Sequence, residues 1–343
     1  MHSLDASLIP EWSPQTAVLV AWPSPRGDFN PWLAEVVETY VAIAREVLRH
    51  QILVVACQSQ ELAESVRQRL AAEGCDISRL RPVVISYDDV WVRDTAPLSV
   101  GEGNTIRWLD FRFNGWGDKY PHADDARLAG HLHASNVLGQ PEMDAIDFVL
   151  EGGSIEVDGA GTLMTTSRCV LNPNRNPSFN RSQIEAMLKA RFGVRQILML
   201  EYGHAEGDDT DAHIDTLARF APNGVIAYTA CDDPEDPLYE EFQRMEDQLK
   251  TFRDLAGSSY QLVALPMPRP IRSEEGDRLP ATYANFLIIN EAVLVPVYGD
   301  PKDELALSRL AAVFEGRDVV PIPCTPLIRQ YGSLHCMTMQ FPL

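Results

Sequence analysis

Residues 154–166 read SIEVDGAGTLMTT, and this stretch shows how the chain is built. Two short runs rich in apolar and β-branched residues flank the turn sequence Asp158-Gly159-Ala160-Gly161, which is the pattern of a β-hairpin. An amphipathic segment, residues 182–192, and another apolar run, residues 196–200, follow it. The first predicts a helix, with Ser182 and Glu185 as a capping box, and the second predicts a third strand. The unit is therefore strand–strand–helix–strand.

The same unit recurs at three other places, with turns centred near residues 103, 159, 223 and 290. The predicted elements of these cycles, in chain order, are strands 98–100 and 105–111, helix 124–138 and strand 146–150; strands 217–220 and 225–229, helix 237–255 and strand 260–265; strands 285–289 and 293–297, helix 303–314 and strand 319–322. Repeats of this size are typical of propeller-like or solenoid folds, in which each unit packs against its neighbours.

The two ends of the chain supply a fifth unit. The N-terminal part predicts strand 18–22, helix 31–48, strand 52–57, a second helix 60–72 and a strand at 83–86, and residues 337–341 form a lone C-terminal strand. We therefore predict an α/β fold with five units around a pseudo-fivefold axis. It would be one catalytic domain, residues 1–343, closed by pairing of the N- and C-terminal segments.

The composition excludes several classes of partner. The chain has 49 acidic and 29 basic residues, a formal net charge of −20, which disfavours nucleic acid and anionic membranes and favours a cationic ligand. No run of about 18 apolar residues and no signal peptide is present. The six cysteines form no Cys-x-x-Cys pair and are interpreted as reduced thiols. We expect a cytoplasmic protein without a metal or nucleotide cofactor, and a homodimer is left open.

Polar residues at equivalent positions of the units are the main functional signal. Asp94, Glu151 and Asp215 each lie eight or nine residues before the turn residue of their unit, and Cys336 opens the last strand. Equivalent positions in a rotationally symmetric ring face the same side. We therefore expect three carboxylates and a thiol to converge on one pocket, although a lone cysteine is more commonly just a buried core residue.

The acidic loop of residues 207–215, GDDTDAHID, surrounds His213 with aspartates. Such groups repel one another unless a cation, a proton or solvent relieves them. On an extended segment Asp211, His213 and Asp215 would point the same way, so His213 and Asp215 could act on one substrate. A solvated loop and a divalent metal site are the alternatives, and acid–base catalysis without metal is the favoured interpretation.

Residues 88–95, DDVWVRDT, place acids beside Trp91 and Arg93. Acids before a strand commonly form turns or caps. A carboxylate also matches a planar guanidinium in a bidentate pair, so these residues are candidates for contacts to such a cation.

Six motifs together resemble the agmatine deiminase and bacterial-type peptidyl-arginine deiminase family of the guanidino-group-modifying superfamily. They are WVRDT (91–95), FNGWG (113–117), EGGSI (151–155), LNPNRNP (171–177), DTDAHID (209–215) and HC (335–336). The resemblance covers most of the chain and implies a five-bladed α/β propeller. It also makes Trp116 a candidate substrate contact.

The resemblance implies a role for each candidate catalytic residue. Cys336 would be the nucleophile, His213 the general acid and base, Asp94 and Asp215 the carboxylates that hold the guanidinium, and Glu151 a further acid beside the histidine. The reaction would hydrolyse a guanidino group to a ureido group through a covalent thiouronium adduct and release ammonia, without metal or cofactor.

The sequence departs from the family pattern in two places, which leaves the substrate open. The family typically has Gly-Gly-Gly-Asn-Ile-His-Cys where this chain has residues 330–336, QYGSLHC, and glycine where this chain has Ala212. Tyr331 could therefore reshape the pocket for the substrate tail. Agmatine is the first candidate, because Glu206, Asp208 and Asp209 could bind its ammonium group.

Other substrates and other functions remain as alternatives. Free arginine would need a basic residue for its carboxylate, and Arg26, Arg175 and Arg329 lie in suitable loops. Peptidyl-arginine would need an open mouth and usually a secreted enzyme. Two alternative functions are of a different kind: a catalytically silent cation-binding protein, and a metal hydrolase that uses the Asp/His loop.

Overall fold

The computed structural model describes residues 6–205 and 207–343, so Glu206 and the first five residues lie outside the described part. The strands within it are β1 (Gln15–Ala21), β2 (Ile52–Cys57), β3 (Leu80–Val84), β4 (Leu98–Val100), β5 (Arg107–Arg112), β6 (Met143–Val149), β7 (Ile155–Val157), β8 (Thr162–Thr166), β9 (Gln196–Leu200), β10 (Ala218–Ala221), β11 (Val225–Ala230), β12 (Gln261–Pro266), β13 (Leu287–Ile289), β14 (Ala292–Val297), β15 (Asp318–Pro323) and β16 (Thr338–Pro342). The α-helices are α1 (Leu33–His50), α2 (Gln60–Ala72), α3 (Val92–Thr95), α4 (Gly115–Asp118), α5 (Leu128–Ser135), α6 (Ser167–Val170), α7 (Arg181–Phe192), α8 (Tyr239–Thr251) and α9 (Asp303–Val313).

The strands form five small sheets, so the fold is mixed α/β. Four sheets have three strands each, in the orders β4-β5-β6, β7-β8-β9, β10-β11-β12 and β13-β14-β15. In each of them the first two strands are antiparallel, and the third is parallel to the second and follows a helix. This order is that of the predicted strand–strand–helix–strand unit.

The fifth sheet joins the two ends of the chain in the order β16-β1-β2-β3. Strand β16 is antiparallel to β1, with Val18 opposite Gln340, and β1 is parallel to β2 after helix α1. Strand β3 extends this sheet beyond the common unit and spans Leu80–Val84, earlier in the chain than the expected 83–86.

Two helices are shorter than their apolar patterns predicted. Helix α5 spans Leu128–Ser135 rather than 124–138, because Asn136 takes a left-handed conformation that ends it. Helix α8 spans Tyr239–Thr251 rather than 237–255. The predicted capping box of helix α7 is also wrong. Asn180 and Gln183 form it, so the helix begins one residue earlier than expected.

The core explains why these segments take these structures. Helix α1 buries Val36, Tyr40, Ile43 and Val47, which the 3.6-residue period places on one face. Strands β1 and β14 are almost entirely buried and carry continuous apolar runs, as expected for strands covered on both faces. No helix of the described residues is both long enough and apolar enough to cross a membrane.

The segments just before the first strand of each sheet lie close together. Helix α3, which precedes β4, contacts β16 and the turn before β7, and the turn before β10 contacts the turn before β7. These connecting segments, not the strands, carry the candidate site residues.

Candidate active site

Cys336 lies in the short loop between a 3-10 turn at Leu327–Gln330 and strand β16. Its carbonyl accepts the amide N–H of Arg93 at 3.1 Å. The N–H of the preceding residue, His335, donates to Oδ1 of Asn285 at 2.9 Å. Residues from three of the sheets thus fix the backbone that presents the thiol.

The same loop accommodates the departure from the family's glycine run. Tyr331 takes a left-handed backbone conformation, with φ of 61°, which glycine tolerates more easily. Gly332 packs on Trp91 so closely that an added Cβ would lie 2.3 Å from the indole ring. Of these two positions, only Gly332 is excluded from carrying a side chain by its neighbours.

The thiol of Cys336 is enclosed by an amide and a carboxylate. Its Sγ lies 3.3 Å from Nδ2 of Asn285 and 3.6 Å from Oδ2 of Asp215. Burial, together with the negative charges of Asp215 and Asp94, raises the pKa of the Cys336 thiol well above its ordinary value. The empty site therefore keeps the thiol protonated, and a bound cation would favour the thiolate.

Asp94, in helix α3, is held by two hydrogen-bond donors. Nε1 of Trp116 donates to Oδ2 at 2.8 Å, and the amide of Gly153 donates to Oδ1 at 2.9 Å. Nδ1 of His213 lies 3.7 Å from Oδ1. Burial raises the pKa of Asp94, and the nearby Asp215 adds to the rise, although His213 and Trp116 oppose it.

The backbone around His213 is not the extended segment that was predicted. Asp211 and Ala212 have positive φ angles of 65° and 67°, and His213 precedes a 3-10 turn at Ile214–Thr216. Ala212 therefore takes the conformation that glycine, the family's usual residue there, adopts without strain. Asp211 is not available to act together with His213, because its carboxylate pairs with Arg175 at 2.7 Å.

The imidazole of His213 is buried among negative groups. Burial opposes its protonation, but Asp94, Cys169 and Glu151 together raise the pKa of His213 to about 10. Nε2 has no hydrogen-bond partner among the residues that the structure describes. His213 is therefore a cation at neutral pH and is able to donate a proton.

Asp215 follows His213 by two residues but has a different environment. Its Oδ2 lies 2.8 Å from Nδ1 of His335, while its buried Oδ1 has no hydrogen-bond partner in the described part of the chain. Burial acts to raise the pKa of Asp215, but the hydrogen bond and charge of His335 outweigh it and lower this pKa. Asp215 is thus an ionised carboxylate with one free oxygen.

Gly153 marks the point where these groups meet. An added Cβ there would lie 2.7 Å from Nδ1 of His213, 2.9 Å from Oδ1 of Asp94 and 3.2 Å from Oδ2 of Asp215. Any side chain would collide with all three. The absence of a side chain at this position lets the two carboxylates and the imidazole approach one another.

Glu151 lies behind this group rather than on the cavity surface. Both of its carboxylate oxygens accept Nε of Arg175, at 2.8 and 3.0 Å. Arg175 continues to Asp211 and to the carbonyl of Thr210. Glu151 therefore contributes charge near His213 and ties the 209–215 loop to the neighbouring unit.

A cavity of about 110 Å³, open to solvent, adjoins the thiol. The predicted site residues that line it are Trp91, Asp94, Trp116, Asp208, Asp209, Tyr331 and Cys336. Arg93, predicted to contact substrate, is not among the lining residues. Its guanidinium points toward Glu11 and Gln340, at 2.9 and 2.6 Å.

The two aspartates expected to bind a substrate tail are differently engaged. Asp208 accepts hydrogen bonds from the backbone of Thr210 and Ala212, so its carboxylate shapes the loop. Asp209 accepts the hydroxyl of Tyr120 and lies 3.8 Å from Nζ of Lys119. Glu206, the third candidate, lies outside the described residues.

Two further acids in the cavity were not predicted as site residues. Asp28 and Asp89 both line it. Burial, with Asp28 and Asp88 as neighbouring negative charges, raises the pKa of Asp89 to about 6. The DDVWVRDT motif was a signal for Asp89, whereas Asp28 follows a proline-rich turn that carries no such signal.

Sequence reasoning also missed Asn285, Glu11 and His335 as parts of the site. In the fourth unit the register of Asp94, Glu151 and Asp215 does not fall on Asn285. That register leads to Thr282, which lines the cavity three residues before Asn285. Glu11 belongs to none of the units, and no pattern in the sequence distinguishes it from other surface acids.

Within residues 6–205 and 207–343, two groups of three residues have potential metal-ligand atoms within 4.8 Å of one another. They are Glu151, Cys169 and His213, and Glu11, Glu156 and His335. The carboxylates in both groups are already paired with the guanidinium groups of Arg175, Arg93 and Arg219. A metal ion would have to compete with these fixed positive charges, so we assign no metal to either group.

Nearly the whole chain is similar to proteins named as agmatine or arginine deiminases. It is 33% identical to an agmatine deiminase of Pseudomonas fluorescens (strain SBW25) over 355 residues, which covers 97% of this chain and 94% of that protein. Its fold matches a putative arginine deiminase of Porphyromonas gingivalis with a TM-score of 0.91 and 43% identity, covering 98% of each chain.

A further structural match is a C. jejuni agmatine deiminase with a cysteine-to-serine substitution and substrate bound. The TM-score is 0.90 and the identity 36%, covering 98% of this chain and 96% of that one. The model of the Porphyromonas-type peptidyl-arginine deiminase family matches residues 7–342. The family resemblance predicted from the six motifs is confirmed, and the chain belongs to the Porphyromonas-type peptidyl-arginine deiminase family.

Proposed function

We propose that this protein hydrolyses a guanidino group to a ureido group with release of ammonia, and that agmatine is its first-choice substrate, giving N-carbamoylputrescine. It is a hydrolase that acts on C–N bonds. The proposal rests on one observation above all. The His213 imidazole and the carboxylates of Asp94 and Asp215 meet around Gly153, and the Cys336 thiol, from a distant part of the chain, lies 3.6 Å from Oδ2 of Asp215.

The two carboxylates suit a guanidinium cation. Asp94 lines the cavity, and Asp215 keeps a buried oxygen free of hydrogen bonds. A planar guanidinium between them would receive a carboxylate on each side and turn a face of its carbon toward Cys336. Its positive charge would also offset the two negative charges that raise the pKa of the thiol.

The first half of the reaction forms a covalent adduct. As the cation binds, the Cys336 thiol releases its proton to solvent through the open cavity, and the thiolate attacks the guanidinium carbon to form a C–S bond. His213, protonated at neutral pH, donates its proton to the departing nitrogen. The C–N bond breaks, ammonia leaves, and an S-alkylthiouronium remains on Cys336.

The second half regenerates the enzyme. The imidazole of His213, now neutral, accepts a proton from water, which attacks the thiouronium carbon. The C–S bond breaks, the thiolate of Cys336 is restored and the ureido product leaves. Asp94 and Asp215 hold the planar group in both halves, so the same residues position both attacks.

The charges along the cavity support a cationic tail. Asp28, Asp89 and Asp209 line it, and the arginine on its surface in the described residues is Arg278. Nη1 of Arg278 already binds Asp236 at 2.7 Å. Asp209 has Lys119 3.8 Å away, but Asp28 and Asp89 form no ion pair within the described residues. A substrate ammonium therefore finds an unpaired acid more readily than a carboxylate finds a free arginine.

The alternative cations for a substrate carboxylate are engaged elsewhere. Arg175 binds Glu151 and Asp211, and Arg329 binds Glu35 at 3.0 Å. Neither lines the cavity, and Arg26 does not line it either. Free arginine and peptidyl-arginine remain the second candidates, because the cavity is open to solvent and Arg278 lies on its surface.

Separate incubations with agmatine, free arginine and an arginyl peptide, with ammonia and ureido product measured in each, test the function and the substrate together. We expect the highest kcat/KM for agmatine. Turnover of free arginine alone would overturn the substrate assignment. No ammonia from any of the three would favour a silent cation-binding protein, and loss of activity on chelation with recovery on adding a divalent ion would favour a metal hydrolase.

We further infer that the five sheets are the blades of an α/β propeller and form one catalytic domain closed by the paired chain ends. Each sheet contributes a residue to the site from the segment before its first strand: Asp94, Glu151, Asp215, Asn285 and Cys336. Five equivalent positions around one point support a pseudo-fivefold arrangement.

Its cellular context stays a prediction. The net charge of −20 supports a partner list without nucleic acid. A cytoplasmic location, a homodimer and catalysis without a cofactor are carried forward from the sequence, and gel filtration with a metal analysis of the purified protein would test the last two.

A further inference from the structure

A buried ionic cluster lies beneath the site, on the side of Asp215 away from the cavity. Its centre is Glu11, from the segment before strand β1. Oε1 of Glu11 lies 2.8 Å from Nε2 of His335 and 2.9 Å from Nη1 of Arg93, and Oε2 accepts Nη2 of Arg219 at 2.6 Å. One carboxylate of the N-terminal segment thus contacts residues from three different units.

His335 lies between two carboxylates. Nδ1 faces Oδ2 of Asp215 and Nε2 faces Oε1 of Glu11, each at 2.8 Å. An ionised carboxylate can only accept a hydrogen bond, so both ring nitrogens must donate. A histidine that donates from both nitrogens is an imidazolium.

The charge count of the cluster supports the same state. Its acids and bases are all nearly or completely buried, and a buried group of charges is costly unless it balances. Burial raises the pKa of Glu156 to about 8, but direct contact with the guanidinium of Arg219 favours its carboxylate form. With Glu156 ionised and His335 as a cation there are three positive and three negative groups. The negative groups are Glu11, Glu156 and Asp215, and the positive ones are Arg93, Arg219 and His335.

We propose that Glu11 is a positioning residue of the active site, which holds His335 as an imidazolium and thereby keeps Asp215 ionised with its Oδ1 free for substrate. Glu11 makes no hydrogen bond to Cys336 or Asp94, and its shortest route to Asp215 is through His335, which contacts both carboxylates at 2.8 Å. The N-terminal segment is in this sense part of the active site, although it belongs to none of the repeated units.

The consequence of removing the Glu11 charge follows from the same contacts. In Glu11→Gln the Nε2 of His335 would no longer face a carboxylate, and an amide can accommodate a neutral imidazole, so His335 would release its proton. Asp215 would keep a hydrogen bond but lose its cationic partner, so the pKa of Asp215 would rise. Substrate binding would then be lost at a higher pH than in the wild type.

The protonation of His335 can be measured without any turnover. Nitrogen-15 NMR of ring-labelled protein at pH 7, with the His335 signals assigned by their loss in His335→Gln, should show two protonated ring nitrogens in the wild type. It should show one in Glu11→Gln. A neutral His335 in the wild type, or an unchanged imidazolium in Glu11→Gln, would overturn the proposal, whether or not the protein is a deiminase.

The activity readout rests on the proposed function and uses a matched control. Glu156→Gln removes a charge from the same cluster but leaves both carboxylate contacts of His335 in place. Asp94, whose pKa is raised, sets the first acid limb of kcat/KM, and Asp215, whose pKa is lowered, sets a second, steeper limb at lower pH. We expect this second limb to move up by roughly one pH unit in Glu11→Gln, about tenfold in rate below it, and to stay in place in Glu156→Gln. Equal shifts in both variants, or none in either, would show that Glu11 does not act through His335.

Discussion

The two carboxylates proposed to hold the guanidinium, Asp94 and Asp215, both lie within 3.2 Å of the position that a Cβ on Gly153 would take, yet they differ in almost every physical respect. Asp94 lines the cavity and is held by neutral donors, the indole of Trp116 and the amide of Gly153. Asp215 is fully buried behind the thiol and faces His335. The pKa of Asp94 is raised by burial, whereas the pKa of Asp215 is lowered because His335 outweighs the effect of burial.

The difference separates two tasks that a cation-binding site must combine. A carboxylate that already has a permanent cationic partner stays ionised, and it anchors the geometry before substrate arrives. A carboxylate for which burial outweighs the neighbouring cation, as it does for Asp94 beside His213, is less stable as an anion and gains most when a further cation binds. Asp215 serves the first task and Asp94 the second, so the same substitution at the two positions should have different effects.

The largest effect is expected from Cys336→Ala, because it removes the group that attacks between the two carboxylates. Turnover should fall by roughly 10⁴-fold or more, with the substrate affinity largely retained. Steady-state kinetics and calorimetric titration with substrate measure the two quantities. Cys75→Ala, at a half-buried thiol far along the chain, should leave both unchanged, and turnover within tenfold of wild type in Cys336→Ala would sink the covalent mechanism.

His213→Asn should come next, with a loss of turnover of roughly 10³-fold. The second half of the reaction depends more fully on His213, because neutral water has no other base against the thiouronium carbon. If the first half keeps some rate, the variant should accumulate an adduct on Cys336. Intact-protein mass spectrometry after addition of substrate would show it as a mass increase that Cys336→Ala lacks.

Asp215→Asn and Asp94→Asn test the comparison directly. Loss of either arm misaligns the cation, and loss of one partner of a desolvated pair costs roughly 2–5 kcal/mol. Asp215→Asn also leaves the His335 imidazolium without one of its carboxylates, so it should lower the free energy of unfolding in urea as well as kcat/KM. Asp94→Asn should lower kcat/KM with little change in stability, and the opposite ranking of stabilities would contradict the distinction.

Neither variant should form an adduct as His213→Asn does. A misaligned cation does not turn its carbon toward Cys336, so the mass of Asp215→Asn should stay unchanged after substrate is added. Equal adduct yields in Asp215→Asn and His213→Asn would mean that the two roles are wrongly assigned.

Much of the fold could be predicted because its signals are local. Hairpin turns at glycine or asparagine, and alternating runs of apolar residues, located most strands to within a residue or two, and their order revealed the repeated unit. Helix ends were harder to predict, because single side chains determine them. Asn136 ends helix α5, and the Asn180–Gln183 capping box begins helix α7. Strand β3 could not be paired from sequence, because it extends one sheet and has no counterpart in the other units.

The site was predictable where the repeat applies and not elsewhere. Asp94, Glu151 and Asp215 share a register, so their convergence follows from symmetry. The orientation of the Arg93 side chain does not follow from symmetry, because it turns toward Glu11, which is 82 residues away in the chain. The left-handed backbone of Asp211 and Ala212 was also hidden, since alanine gives no signal for a conformation that glycine prefers.

The smallest effect is expected from Trp116→Phe, which removes one neutral donor from Asp94. The indole N–H favours the ionised form of Asp94, so without it the pKa of Asp94, already raised, should rise further. A lost hydrogen bond to a charged group is worth about 1.5–3 kcal/mol, and the acid limb of kcat/KM should therefore move up by about one pH unit. Above that limb the rate should change little, because Asp94 is then ionised in both proteins.

Phenylalanine preserves the edge contacts with Phe113 and Tyr120, so the shape of the cavity should survive. Trp108→Phe, at a buried indole away from the site, should leave the limb in place. If the acid limb moves in Asp215→Asn but stays in place in Trp116→Phe, then Asp215, and not Asp94, limits binding at low pH.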